Sequence, residues 1–214
     1  MPQIFVFGDS ITYGAWDKEG GWVQRLRRFL DEKVLTSSDF YYLVYNLGVS
    51  GDNTCDLLKR FKFEIEQRFC KNEKTIVIFA IGINDSQFVQ SKNSNQVSEE
   101  QFKENLEKLI KLARNFTSTI VFVGLTPVDE SKTTPIPWNT DKFYKNEYIQ
   151  RYNEIIKKVC KNNNLHYIEI FEEFAKANYQ ELLEDGLHPN SEGHQKIFEI
   201  VKNYLIENGI IVVS

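Results

Sequence analysis

The sequence predicts a three-layer α/β/α sandwich around a five-stranded parallel sheet, and three observations carry that reading. Short apolar runs alternate with longer helical patterns along the chain, as strand–helix–strand units require. Two of the runs, Ile76-Val77-Ile78-Phe79-Ala80-Ile81 and Ile120-Val121-Phe122-Val123, are apolar at every position, as strands covered by helices on both faces must be. Polar, glycine-containing segments follow the first three strands, where open α/β sheets hold their ligands.

The strands are expected at residues 4–7, 41–45, 75–81, 119–125 and 166–170, with spatial order 2-1-3-4-5. The helix at 21–33 rests on Trp22, Leu26, Phe29 and Leu30 at helical spacing, and that at 55–70 on Leu58, Phe61, Ile65 and Phe69. The helix at 98–115 opens with Ser98 and Gln101, a capping-box pattern. Further helices fit 144–162, 172–183 and 191–207. Residues 126–142 have no period and contain Pro127, Pro135, Pro137 and Trp138, so they read as a structured surface loop of the kind that often serves function. The tail Ile210-Ile211-Val212-Val213 reads as an extra strand or a contact surface.

All 214 residues fit one domain, since no linker-like stretch divides them. A net charge of -4 argues against a binder of nucleic-acid backbones. Cys55, Cys70 and Cys160 are odd in number and form no C-x-x-C pair, which predicts free thiols in a reducing compartment. Met1-Pro2-Gln3 leads straight into an apolar strand without a leader pattern, and no apolar run reaches the ~18 residues of a membrane span. Together these predict a cytoplasmic location and no integral membrane segment. The oligomeric state has no signature here.

Four segments carry chemistry: Gly8-Asp9-Ser10-Ile11-Thr12, Asn46 to Asp52, Gly82-Ile83-Asn84-Asp85, and Asp185-Gly186-Leu187-His188-Pro189-Asn190. A serine hydroxyl attacks only when a base takes its proton. His188 is the candidate base, and Asp185, three residues upstream in a glycine turn, is placed to hold its other nitrogen. Pro189 disfavours helix at His188, and Asn190 is placed to cap the helix that follows. Attack on an ester creates an oxyanion that needs preorganised donors. The candidates are the backbone N–H groups of Ser10 and Gly51 and the amide of Asn84, with glycine at 51 permitting close approach.

Gly8-Asp9-Ser10-Ile11-Thr12, Gly51, Gly82-x-Asn84-Asp85 and Asp185-x-x-His188 resemble, in order, the four blocks of the SGNH, or GDSL, hydrolase family. The resemblance spans residues 8–188. It implies a flavodoxin-like fold, hydrolysis of carboxylic esters or thioesters on small molecules, and no required metal or cofactor. Carried over by position, it implies Ser10 as nucleophile, Gly51 and Asn84 as oxyanion-hole donors, and Asp185 and His188 as the rest of a triad.

Other readings compete. Asp9, Asp85 and Asp185 would serve a metal-dependent phosphohydrolase, although Ile11 stands where a second acid would be expected. A ligand-binding module without turnover can use the same fold. His166 and His194 read as structural, Asp9 and Asp85 as capping residues, and Ser50 as a turn residue. Trp138 suits a substrate pocket or a loop anchor equally.

Overall fold

The structure is a computed structural model that describes residues 2–36, 41–176 and 178–212. In chain order the elements begin β1 (Gln3–Gly8), α1 (Ser10–Tyr13), α2 (Gly21–Thr36), β2 (Leu43–Gly48), α3 (Thr54–Glu66), β3 (Thr75–Ala80), β4 (Phe88–Val89) and β5 (Ser94–Asn95). They continue α4 (Glu99–Ala113), β6 (Thr119–Val123), α5 (Glu130–Thr133), β7 (Lys142–Phe143), α6 (Asn146–Asn163), β8 (His166–Ile168), α7 (Phe171–Ala175) and α8 (Ser191–Glu207). The main sheet is parallel, in the order β2-β1-β3-β6-β8. Counting only its own strands, that is the expected 2-1-3-4-5.

Both faces of the sheet are covered, so its inner strands bury every residue or nearly so. Along β1, Ile4 and Val6 enter one core while Phe5 and Phe7 enter the other, the two-residue alternation of a strand. Trp22, Leu26 and Leu30 of α2 and Ile197, Val201 and Leu205 of α8 fill the first core. Phe61 and Ile65 of α3, Leu106 and Leu109 of α4, and Tyr152 and Ile156 of α6 fill the second. No helix among the described residues is long and apolar enough to cross a membrane.

Several expectations need correction. The second strand runs from Leu43 to Gly48 rather than over 41–45, because Gln3 pairs with Leu43 and Gly8 with Gly48. It is an edge strand whose polar Asn46 faces outward and donates to Thr12 O at 2.9 Å. Phe69 lies beyond the end of α3, half-buried against Phe116. Ser98 does cap α4, but the Gln101 side chain bonds Asn105 instead of returning to the cap, so only half of a capping box forms.

The expected helix over 172–183 is replaced by α7 and a 3₁₀ turn at Tyr179–Leu182. Its last carbonyls are drawn toward the segment around His188: Glu181 O accepts from the Asn190 side chain and Leu182 O from Asn190 N. The described part of the tail forms no strand, and of it only Val212 is exposed. Ile210 and Ile211 are buried in the α2–α8 core, and Val213 lies outside the described residues. The segment 126–142 holds the helix α5, and it leads into β7, which joins β4 and β5 in a small antiparallel sheet.

Candidate active site

The first segment turns directly from β1 into α1. Gly8 sits where a Cβ would lie 2.0 Å from Thr12 Oγ1 and 2.3 Å from Ala80 O, so only glycine fits. Asp9 caps α1 by accepting the Ile11 N–H at 3.0 Å. Ser10 follows as the first residue of the helix and is buried. Its backbone N–H therefore belongs to the first turn, which a helix leaves unpaired.

The last segment closes back on Ser10 from the far end of the chain. Asp185 Oδ1 accepts the N–H groups of Leu187 and His188 at 2.9 and 2.8 Å. Its Oδ2 lies 2.7 Å from His188 Nδ1, and His188 Nε2 lies 2.9 Å from Ser10 Oγ. A carboxylate only accepts, so Nδ1 carries the proton and Nε2 is left to accept from the serine hydroxyl. Burial pushes the Asp185 carboxyl up, but the His188 ring and the N–H groups of His188 and Leu187 outweigh it and hold it at about 2. Glu184 N donates to His188 O at 2.8 Å, and Asn190 caps α8. The histidine is thus fixed between a short bridge and a helix start.

The second and third segments emerge beside the first because their strands end level: Gly8 pairs with Gly48 on one side and with Ala80 on the other. Asn84 Nδ2 donates to Asp52 O at 2.8 Å, and its Oδ1 accepts from Tyr144 Oη at 2.6 Å. Burial raises the Tyr144 hydroxyl well above its ordinary range, so it stays a donor. One Asn84 N–H remains for a ligand. Gly51 has a φ of +84°, and a Cβ there would meet nothing within 4 Å. The backbone conformation, rather than crowding within the protein, therefore requires glycine at this position.

Three groups that sequence reasoning missed complete the framework. Arg60 donates to Gly8 O, Leu47 O and Asp52 Oδ2 at 3.0, 2.9 and 2.6 Å, pinning the first two segments together. Tyr144 fixes the Asn84 amide from 60 residues away. Trp16, with φ +69°, donates from Nε1 to Asp185 Oδ2 at 3.2 Å and stands edge-on to His188 with centroids 5.7 Å apart. No local pattern marks any of them. The loop carrying Trp16 is itself held by the buried Asp17–Arg25 ion pair, and Arg25 also donates to Ser191 Oγ at the start of α8.

The three aspartates of the phosphohydrolase reading are committed to separate partners. Asp9 caps α1, Asp185 holds His188, and Asp85 accepts the Thr54 N–H and hydroxyl at the start of α3. Burial raises Asp9 to about 6 and Asp85 to about 7. Among the described residues no group of three or more acids, histidines or cysteines is placed to hold a metal ion. His166 Nδ1 lies 3.3 Å from the Tyr204 hydroxyl. His194 is buried in α8, and burial holds it down at about 4, so it stays neutral. Trp138 is 59% exposed and lines a pocket of about 200 Å³ together with Gly51 and Asn84.

Comparison with known proteins agrees with this architecture. The chain is 27% identical to a multidomain esterase of Ruminococcus flavefaciens over 95% of its own length, spanning 29% of that protein. It is 23% identical to an arylesterase of Vibrio mimicus, covering 96% of this chain and 89% of the relative. The crystal structure of a lipase/acylhydrolase from Enterococcus faecalis shares the fold, with a TM-score of 0.73 at 22% identity over 96% of this chain and 95% of that one. Residues 6–196 match the GDSL-like lipase/acylhydrolase family, and the chain belongs to that family.

Proposed function

We propose that this chain hydrolyses carboxylic esters of short acyl groups through an acyl-enzyme on Ser10. The observation that carries the proposal is the unbroken hydrogen-bonded series Asp185–His188–Ser10. His188 Nε2 takes the hydroxyl proton as Ser10 Oγ attacks the ester carbonyl. Asp185 holds the ring in the required tautomer and stabilises the imidazolium that forms. The carbonyl oxygen becomes an oxyanion facing the N–H groups of Ser10, Gly51 and Asn84. Collapse expels the alcohol, which receives the proton from His188. Water activated by the same histidine then attacks the acyl-enzyme, releases the acid and restores the serine.

The cavities support short acyl groups. The apolar space beside Asp9 and Thr12, lined by Trp22, Val123 and Ile197, holds only about 30 Å³. The larger pocket at Gly51 and Asn84 is lined mainly by polar side chains. Neither offers a channel for a long hydrocarbon chain. The multidomain esterase and the arylesterase named above agree with the reaction class.

A series of p-nitrophenyl esters from acetate to decanoate, with and without a chelator, tests the reading. Turnover should be greatest for the shortest esters and indifferent to the chelator. Rising efficiency with chain length, or loss of activity on chelation, would contradict it.

A further inference from the structure

The pocket that opens from Gly51 and Asn84 has a wall the triad does not need. Gln87 immediately precedes β4, Gln96 follows β5, Lys142 lies in β7, and Trp138 sits in the turn leading to β7. Gln96 N donates to Gln87 O at 2.7 Å, and Ile136 N to Lys142 O at 3.0 Å, which fixes these strand ends around one hollow. The small sheet β5-β4-β7 lies outside the main sheet and gives this pocket its shape.

Asn53, Asn84 and Tyr144 in the lining have protein partners, but three polar side chains of the outer wall do not. Gln87 is only 4% exposed, yet its side chain has no hydrogen-bond partner among the described residues. Its amide is not among the side-chain groups sealed from solvent without a partner, so it opens onto the hollow, where it is free to exchange water for a ligand. The Gln96 amide is also unpartnered, and the Lys142 ammonium makes no ion pair, among the described residues. Beside them Trp138 presents an exposed ring.

We infer that this pocket is a subsite for a hydroxyl-rich ring, the sugar or cyclic polyol part of an ester substrate. The inference rests on the ester-hydrolase reading and names the class of ester. Each glutamine amide carries both donors and an acceptor, as does each hydroxyl of such a ring, and an indole face covers its C–H surface. Other occupants fit less well. No carboxylate lines the pocket to meet a cation. An anion would find one lysine and no arginine fork. The N-terminus of α3 offers it nothing, because the N–H groups of Thr54, Cys55 and Asp56 are taken by Asp85 and Asn53. About 200 Å³ suits one ring rather than the ~300–1,000 Å³ of a drug-sized site.

The test compares kcat/KM for a mono-O-acetylated methyl pyranoside with that for cyclohexyl acetate, a ring of similar size without hydroxyls. Wild type should favour the glycoside by at least ~10-fold, as expected where a site's polar groups would otherwise be left unpaired. Gln87→Ala should cut that preference ~10-fold, mainly through KM. Gln96→Ala and Trp138→Ala, at more exposed positions, should each reduce it without endangering the fold. Equal rates on the two esters, or a preference that survives all three substitutions, would overturn the subsite. So would a preference for an acetylated glycerol phosphate that Lys142→Met abolishes, which would assign the pocket to an anion. In either case turnover of p-nitrophenyl acetate would leave the ester-hydrolase reading standing. A protein inert toward every one of these esters would instead overturn that reading itself.

Discussion

The end of the main sheet and the small sheet beside it are built on opposite plans. At the ends of β1, β2 and β3 the side chains that frame Ser10 are engaged with one another, and among the described residues only the proposed oxyanion donors are left free. Arg60 spans two strand ends, Asp85 closes on Thr54, Tyr144 holds Asn84, and Trp16 holds Asp185. The small sheet has two-residue strands, and Lys142 in it and the side chains of Gln87 and Gln96 that flank it face a hollow without protein partners among the described residues. The difference teaches where each property resides. Chemistry needs groups held in fixed geometry, so the proposed triad sits where side chains from several elements lock one another in place. Recognition needs groups left unpaired until a ligand arrives, so the proposed subsite sits on the small sheet beside it.

Substitutions should separate the two regions. The largest effects belong to Ser10→Ala and His188→Ala, each expected to lower kcat by about 10⁴- to 10⁶-fold. Because the residues act as one unit, the double variant should be no worse than the poorer single one. Additive losses in single-turnover kinetics would break the proposed unit. Asn84→Ala should lower kcat by about 100- to 1,000-fold, as removal of one oxyanion donor does. Tyr144→Phe, which only frees the Asn84 amide to turn, should cost about 10-fold in kcat. Equal losses from the two would mean that Tyr144 does more than hold the amide.

Trp16→Phe keeps the ring beside His188 but removes the N–H to Asp185. A fall of roughly 3- to 10-fold in kcat with KM little changed is the expected outcome. A change confined to KM would move Trp16 from positioning the triad to binding substrate.

The smallest effect concerns stability. Burial holds the Asp9 carboxyl at about 6 against an ordinary 3.8. Between those values the folded chain binds the extra proton, so stability falls as pH rises through that window, and the full cost applies above it. Asp9→Asn keeps the helix cap and removes the charge. It should stabilise the protein by up to about 3 kcal/mol near pH 8 and by almost nothing near pH 4. Melting curves at the two pH values would show it, and an equal gain at both would contradict the assignment to ionisation.

The same contrast explains what was legible in the sequence. β3 and β6 are covered on both faces, so every residue after the opening threonine is apolar and the strands announce themselves. β2, at the edge, carries Asn46 and Gly48 at its functional end, and its apolar signal stops too early. Asp185 and His188 lie within one turn, so local spacing reveals the pair. Trp16 reaches Asp185 across 169 residues from a left-handed backbone conformation, and only the fold brings them together. The strands β4, β5 and β7 are too short to have a period, so the small sheet was hidden inside apparent loops. Trp138 stood out as an aromatic in a loop, but Gln87 and Gln96 carried no signal until the pocket assembled them.

Labelling of the intact, folded protein with a fluorophosphonate, read by mass spectrometry, tests the central claim most directly. One adduct per chain, mapped to Ser10 and absent from Ser10→Ala and strongly slowed in His188→Ala, is the predicted result. Ester turnover by a protein that takes no label, or a label on any other residue, would contradict Ser10 as the nucleophile.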